Sequence, residues 1–308
     1  MCTTNPEISQ NPSHETPRDD DEGELGVARA LAPPNRRARS LDRALGRARR
    51  ESAPRTMRAH VRGVDAEDGT RVELFVVEPT TTRDGARGDA ATDWFILLHA
   101  HPKLGGDRTM MTPLARALSA RGYGAVCVAA RGTSGSSGSS SWRGSASEGV
   151  DACAAVDWAT KTGGGDGSKV RAHVVGYSYG STIGAWALDK REAIASYVAI
   201  GYPRGGSWWN CGVMGAAAKW LMRDHFEALR ASSKPKLFVH PSRDEFTSTA
   251  TMERFVREKL QSGGKTELRV LNGHGHFTVT DDDDAVATIA QWIEEFVRRV
   301  VVEGEGED

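Results

Sequence analysis

The sequence contains few cysteines, no long apolar run and no excess of one charge. Its four cysteines, Cys2, Cys127, Cys153 and Cys211, are scattered and form no C-x-x-C pair. Scattered cysteines in a large chain are typical of a reducing compartment, and they lack the spacing of a zinc site. No stretch of roughly 18 apolar residues is present, so we expect no membrane span. The N-terminus also lacks the charged and apolar regions of a secretory signal, and we therefore expect a cytoplasmic protein.

The balance of charge limits the classes of partner. Forty basic and 41 acidic residues give a net charge of −1. A nucleic-acid-binding domain usually carries a basic excess, so we expect no nucleic-acid partner. Apolar residues are as abundant as in globular proteins, and the length of 308 residues allows one large domain or two small ones.

Residues 1–57 have a composition unlike the rest of the chain. The segment contains no aromatic residue, opens acidic with Asp19–Glu22, and becomes rich in arginine over residues 36–58. Such a stretch buries too little apolar surface to offset the entropy of ordering, so we predict a disordered tail over 1–57. Targeting to an organelle is the alternative, although transit peptides are poor in acidic residues. Residues 303–308 are predicted to form a short acidic tail.

Between residues 58 and 302, short apolar strands alternate with amphipathic helices. Trp94–Leu98 is a short continuous apolar run, which is typical of a buried parallel strand, and Val170–Val175 is predicted as a further strand. Arg58–Val64 and Arg71–Val77 flank an Asp-Gly turn signal, so these two strands should form an antiparallel edge. The pattern predicts an α/β domain over 58–302, with a mostly parallel central sheet and helices on both faces.

The strongest chemical motif is Gly176-Tyr177-Ser178-Tyr179-Gly180, between a predicted strand and a predicted helix. G-x-S-x-G in this context is a nucleophile elbow, which projects the serine Oγ above the sheet. Gly176 and Gly180 leave space where side chains would collide. The backbone N–H of Tyr179, directly after the serine, is expected to stabilise the oxyanion of a tetrahedral intermediate.

A serine nucleophile needs a base, and a carboxylate has to orient that base. Asp244 follows a buried apolar run and is the predicted acid, with Glu245 as the alternative. His274 and His276 lie on the loop after the last predicted strand, where a base is expected. Only one of the two imidazoles can sit between the serine and the carboxylate.

A second motif, His99-Ala100-His101-Pro102, follows the strand Trp94–Leu98 and leads to Gly105-Gly106. A backbone N–H in this loop would complete an oxyanion hole. Two alternatives exist for the histidines, a metal pair or hydrogen bonds that merely stabilise the turn. The spacing is weak evidence for metal, because no carboxylate partner is nearby.

These motifs together resemble the α/β-hydrolase superfamily, in particular its small intracellular H-P-H-P…G-G group of dienelactone-hydrolase-like and serine-aminopeptidase-like enzymes. Arg131–Gly138 is similar to that group's R-G-x-G-x-S-x-G loop. The resemblance implies an α/β-hydrolase fold over about residues 58–302. For the site it implies Ser178 as nucleophile, Asp244 as acid, His276 as base, and the N–H of Ala100 or His101 beside that of Tyr179 as oxyanion donors.

The base is assigned to His276 on two grounds. The family places its base directly before an aromatic residue, here Phe277, and we expect Phe277 to wedge under the end of the sheet and fix the loop. Two departures affect the backbone: Ala100 replaces the first proline of H-P-H-P, and Pro241 replaces a glycine of the acid loop.

Residues 204–232 form an insert where the superfamily often carries a lid. Trp208 and Trp209 in this insert are candidates for the lining of a substrate pocket, and packing of a helix on the sheet is the alternative.

The sequence predicts a serine hydrolase that cleaves an ester or related acyl bond of a small-molecule substrate, with no cofactor and no metal. The alternative is a catalytically silent hydrolase fold that serves as a binding or scaffold module, because a fold alone does not give activity. The oligomeric state stays open.

Overall fold

The computed structural model describes residues 57–80, 93–141, 146–163, 169–204, 223–260 and 265–304. The predicted N-terminal tail up to residue 56 lies outside the described residues, as do Trp208 and Trp209 and the last four residues of the chain. The described residues all fall in one compact unit, Arg55–Asp308.

Eight strands in the described residues form one sheet, in the order β1-β2-β4-β3-β5-β6-β7-β8. β2 runs antiparallel to both of its neighbours, and all other pairs are parallel. The strands are β1 (Ala59–Asp65), β2 (Arg71–Val77), β3 (Asp93–Leu98), β4 (Gly124–Val128), β5 (Arg171–Tyr177), β6 (Ile194–Ile200), β7 (Lys236–Pro241) and β8 (Thr266–Leu271). The predicted mostly parallel sheet with an antiparallel N-terminal edge is confirmed.

Six α-helices lie in the described ranges, together with two short 3₁₀ turns, Pro102–Leu104 and Arg108–Met111. The helices are α1 (Thr112–Ala120), α2 (Ala146–Thr162), α3 (Tyr179–Ala187), α4 (Arg223–Ala231), α5 (Thr249–Lys259) and α6 (Asp283–Gly304). α4 lies within the predicted insert, and α6 includes the first two residues of the predicted C-terminal tail. None of these helices is long and apolar enough to cross a membrane.

Each face of the sheet carries a hydrophobic core. Alternate residues of β3 point to opposite faces, because side chains alternate along a strand. Ile96 packs with residues of α2 and α3, whereas Phe95 and Leu97 pack with residues of α1 and α6. The predicted helices on both faces are therefore confirmed.

The parallel strands bring the sequence motifs together at the carboxyl ends of the strands. Ser178 directly follows β5, Asp244 follows β7, and His276 follows β8, so each comes after the carboxyl end of its strand. The loop of His99 and His101 follows β3, also at the carboxyl ends of the strands. In open α/β sheets, ligands bind at the carboxyl ends of the strands.

Candidate active site

Ser178 is the single residue between β5 and α3. Its backbone angles are φ 53° and ψ −120°, in a region that residues with a Cβ seldom adopt. Such a conformation typically costs about 1–3 kcal/mol, which the surrounding structure has to offset. The strain is located in the sharp turn between β5 and α3, and a strained strand–turn–helix of this kind is the geometry of a nucleophile elbow.

Gly176 and Gly180 both lie so close to other backbone segments that neither has room for a side chain. A Cβ at Gly176 would lie 2.3 Å from Cα of Ser181, inside the first turn of α3. A Cβ at Gly180 would lie 2.3 Å from the carbonyl oxygen of Leu98 and 2.5 Å from that of His99. Backbone atoms cannot give way as a flexible side chain does, so both positions demand glycine. The second clash also shows that the loop after β3 lies directly against the elbow.

His276 bridges Ser178 and Asp244. Its Nε2 lies 2.8 Å from Ser178 Oγ, and its Nδ1 lies 2.7 Å from Asp244 Oδ2. The side chains of His276 and Asp244 are 2% and 0% exposed. A carboxylate only accepts, so Nδ1 carries the proton and donates a hydrogen bond to Asp244, and Nε2 can accept a hydrogen bond from the serine hydroxyl. This is the arrangement that activates a serine for attack.

Asp244 is held in its ionised form by hydrogen bonds. Burial alone would raise the pKa of this carboxyl group. The hydrogen bond from His276 and those from the N–H groups of Thr247 and Phe246 outweigh burial and hold the pKa below its usual value. The two amides donate to Oδ1 at 2.9 and 2.8 Å, which leaves Oδ2 for the imidazole.

Glu245, the alternative acid, has a different contact. Its Oε2 accepts from the backbone N–H of His276 at 2.7 Å, while the ring of His276 faces Asp244. A Cβ at Gly275 would lie 2.8 Å from Glu245 Oε1, so the small residue lets the carboxylate approach the loop. The geometry thus gives Glu245 a role in holding the loop backbone.

The prediction that Phe277 wedges under the sheet is wrong. Phe277 is 59% exposed, and its ring meets those of His276 and Phe246 edge-on. The loop is fixed instead by the buried Tyr177, whose hydroxyl donates to the carbonyl oxygen of His276 at 2.7 Å. Phe246 also packs edge-on against the imidazole, with ring centroids 4.5 Å apart. The only hint of this contact in the sequence is that the residue directly before Ser178, a variable position of the motif, is the aromatic Tyr177.

His274 does not bridge the serine and the acid. It is half-buried, and its carbonyl oxygen accepts from the N–H of Arg243 at 2.9 Å. Of the two loop histidines, the structure brings His276 to Ser178.

His99 stabilises the turn, in agreement with one of the two alternatives for it. Its Nδ1 donates to the carbonyl oxygen of Ala100 at 2.7 Å, and its Nε2 accepts from the N–H of Ala130 at 3.1 Å. Both ring nitrogens are therefore occupied, and burial lowers the pKa of His99. Within the described ranges, no group of three His, Cys, Asp or Glu side chains lies close enough to hold a metal ion.

The loop with Ala100 and His101 lies beside the elbow. The ring of His101 lies against that of Tyr179, with centroids 4.3 Å apart. The N–H of Tyr179 is the first amide of α3. A Cβ at Gly106 would lie 2.0 Å from the carbonyl oxygen of Ala100, so the close turn of this loop requires glycine.

Arg131 anchors the loop after β4, a contact that the sequence pattern did not reveal. Its guanidinium donates to the buried Asp151 on α2 at 2.7 Å and to Asp68 in the β1–β2 turn at 2.8 Å. The neighbouring Ala130 provides the N–H that holds His99. The ion pairs of Arg131 thus hold the segment whose preceding residue, Ala130, contacts His99.

Comparisons with known proteins agree with this architecture. Residues 68–258 match the family model described as X-Pro dipeptidyl-peptidase (S15 family). The search of curated protein sequences finds no match. Among solved structures, an α/β serine hydrolase homologue from Coxiella burnetii has a TM-score of 0.57 and 20% identity, over 78% of this chain and 96% of that one.

Two further structures share the fold at lower identity. The esterase Pf2001 from Pyrococcus furiosus has a TM-score of 0.57 and 16% identity, over 78% of this chain and 93% of its own. Est1E from Butyrivibrio proteoclasticus, with ferulic acid bound, has a TM-score of 0.56 and 15% identity, over 78% and 99%. The resemblance to α/β hydrolases is confirmed, and since the family model covers more than half of the chain, the protein belongs to the S15 family of the α/β hydrolases.

Proposed function

We propose that the protein is a serine hydrolase that cleaves an ester or related acyl bond through an acyl-enzyme. The observation that carries this proposal is the pair of short contacts from Ser178 Oγ to His276 Nε2, 2.8 Å, and from His276 Nδ1 to Asp244 Oδ2, 2.7 Å. The position of the serine on a strained elbow and the ionised state of the acid support it further.

In the first half of the reaction, Ser178 Oγ attacks the substrate carbonyl carbon while His276 Nε2 takes the hydroxyl proton. Asp244 stabilises the imidazolium that forms, and it stays ionised. The carbonyl oxygen becomes negative in the tetrahedral intermediate, and the N–H of Tyr179 and an N–H of the Ala100–His101 loop donate to it. The intermediate then collapses: His276 gives its proton to the leaving group, and the acyl group stays on Ser178.

In the second half, water takes the place of the leaving group. His276 removes a proton from the water, whose oxygen attacks the acyl carbon. Collapse of the second intermediate returns the proton to Ser178 Oγ and releases the carboxylic acid. No step needs a cofactor, and the substrate is a small molecule with an acyl bond.

A second candidate is cleavage of a peptide bond after proline. The match of residues 68–258 to the X-Pro dipeptidyl-peptidase family favours it. The chemistry of Ser178, His276 and Asp244 would be the same, with an amine as leaving group. Parallel assays with 4-nitrophenyl acetate and with an X-Pro 4-nitroanilide distinguish the two candidates.

The test of the proposal is labelling by a fluorophosphonate probe, which reacts with an activated serine. We expect the wild type to be labelled and Ser178→Ala to be folded, unlabelled and inactive. Ser248→Ala, which removes an exposed serine at the start of α5, is the control and should be labelled like the wild type. An unlabelled wild type would support the scaffold alternative, and labelling of Ser178→Ala would show that another residue is the nucleophile.

A further inference from the structure

Glu148 is a buried carboxylate that the proposed mechanism does not use. It lies in the first turn of α2 and is 3% exposed. Its Oε2 accepts from the hydroxyl of Tyr179 at 2.7 Å and from that of Ser141 at 3.3 Å, and its Oε1 accepts from the N–H of Ser141 at 3.0 Å. Burying a carboxylate is costly unless it is hydrogen-bonded, so these donors are required to keep it in place.

Tyr179 connects this carboxylate to the elbow. Its backbone directly follows Ser178, its hydroxyl reaches Glu148, and its ring lies against that of His101. The backbone of the neighbouring Gly180 is pressed against the carbonyl oxygens that precede the His101 loop. One aromatic ring therefore touches both segments that carry the expected oxyanion donors.

The ring of Tyr179 borders a small space that is not filled by neighbouring side chains. This cavity has a volume of about 20 Å³, and its lining includes Leu98, His99, Glu148 and Tyr179. A cavity of that size has room for about one water molecule. The hydrogen bond to Glu148 therefore adds to the contacts that hold the ring beside this space.

We propose that Glu148 is a positioning residue of the oxyanion hole, acting through the side chain of Tyr179. This inference rests on the proposed function, since it assigns the N–H of Tyr179 to the oxyanion. The hydrogen bond between Glu148 and Tyr179 keeps that N–H and the His101 loop at the spacing that the developing negative charge requires. A contact that matters only in the transition state alters kcat and leaves KM unchanged.

The test is a double-mutant cycle with Tyr179→Phe and Glu148→Ala, measured as kcat and KM for 4-nitrophenyl acetate. A misplacement of about 1 Å at a reacting centre can cost about a hundredfold. We expect each single variant to lose about tenfold to a hundredfold in kcat, with KM within about twofold. The double variant should lose no more than the worse single variant, because both changes remove one interaction.

Glu148→Gln is the conservative variant. The glutamine oxygen can accept from the N–H of Ser141, and its NH₂ group can donate to the hydroxyl of Tyr179, which also accepts hydrogen bonds. The ring is then held again, so kcat should recover to within about threefold of the wild type. If Glu148→Ala does not fold, Tyr179→Phe and Glu148→Gln carry the test.

Tyr197→Phe is the matched control. Tyr197 is buried, and its hydroxyl donates to the carbonyl oxygen of Ser181 in α3 at 2.6 Å. The same chemical change there should lower Tm by a few degrees and leave kcat within about twofold of the wild type.

Two results would overturn this inference and leave the proposed function in place. If Tyr179→Phe and Glu148→Ala lower Tm like the control but keep the kcat of the wild type, their contact is only structural. If their losses in kcat add in the double variant, the two residues act independently. Failure of the wild type to react with the fluorophosphonate probe overturns the proposed function itself, and this inference with it.

Discussion

The variant Asp244→Asn tests whether Asp244 determines which ring nitrogen of His276 carries the proton. Asp244 Oδ1 accepts from two backbone N–H groups, while Oδ2 accepts from Nδ1 of His276. An asparagine has to keep its carbonyl oxygen towards the two N–H groups, because its NH₂ group cannot accept from them. The NH₂ group then faces Nδ1, so Nδ1 becomes the acceptor and Nε2 carries the proton. A protonated Nε2 cannot take the proton of Ser178 Oγ.

The expected loss in kcat is about 10⁴-fold, the size of effect that the wrong imidazole tautomer produces in a serine triad. It corresponds to about 5.5 kcal/mol in the activation free energy, at about 1.36 kcal/mol for each factor of ten. The fold should persist, because asparagine has nearly the same shape as aspartate and keeps both hydrogen bonds to the backbone N–H groups.

The assay compares kcat for 4-nitrophenyl acetate and Tm in the wild type, Asp244→Asn and Glu245→Gln. Glu245 accepts from the backbone N–H of His276, and glutamine keeps an acceptor oxygen, so this control should lose less than about tenfold. An Asp244→Asn variant within tenfold of the wild type would refute the reasoning, as would a folded Glu245→Gln variant that has lost the larger factor.

Two other predictions concern the base and Asp93, the first residue of the central strand β3. His276→Ala should lose several orders of magnitude in kcat and His274→Ala about tenfold or less; the reverse order would reassign the base. Burial alone would raise the pKa of Asp93. Hydrogen bonds from His173 and Arg171 outweigh burial and hold this pKa well below its usual value. Its ionised form therefore stabilises the fold above about pH 4, and this contribution is lost as the pH falls further. Asp93→Asn should cost about 3 kcal/mol at pH 7, seen as a lower Tm, and the difference from the wild type should shrink at pH 3; an equal difference at both pH values would contradict this.

The sequence was sufficient for features that depend on neighbouring residues. The elbow is a local pattern, since β5, Ser178 and α3 follow one another and the required glycines lie two residues to each side. The order of serine, acid and base along the chain then pointed to Asp244 and to the loop of His274 and His276, and the resemblance to the superfamily favoured His276. The strands and most helices could be predicted for the same reason, because apolar periodicity is a local property.

Contacts between distant segments could not be predicted. The hydroxyl of Tyr177 meets a carbonyl 99 residues further along the chain, and Arg131 meets Asp68 across 63 residues. No local pattern encodes such pairs. The wrong expectation for Phe277 has a related cause: burial of an aromatic side chain depends on the surrounding fold, and the buried Tyr177, distant in sequence, makes the contact that fixes the loop. The alternatives for His99 were resolved only by the N–H of Ala130, which follows the neighbouring strand β4.

The placement of His276 after β8 has a consequence for how the protein loses activity. β8 is the last strand of the described sheet, and five of its six residues are only partly buried, whereas every residue of β3 is buried. Ser178 and His276 are 98 residues apart, so their contact exists only while this edge is in place. Exposed edges usually open at a free energy well below that of global unfolding. A local opening that frays β8 separates His276 from Ser178 while the central strands stay paired, so the contact between them is lost at the free energy of opening this edge, before the core unfolds.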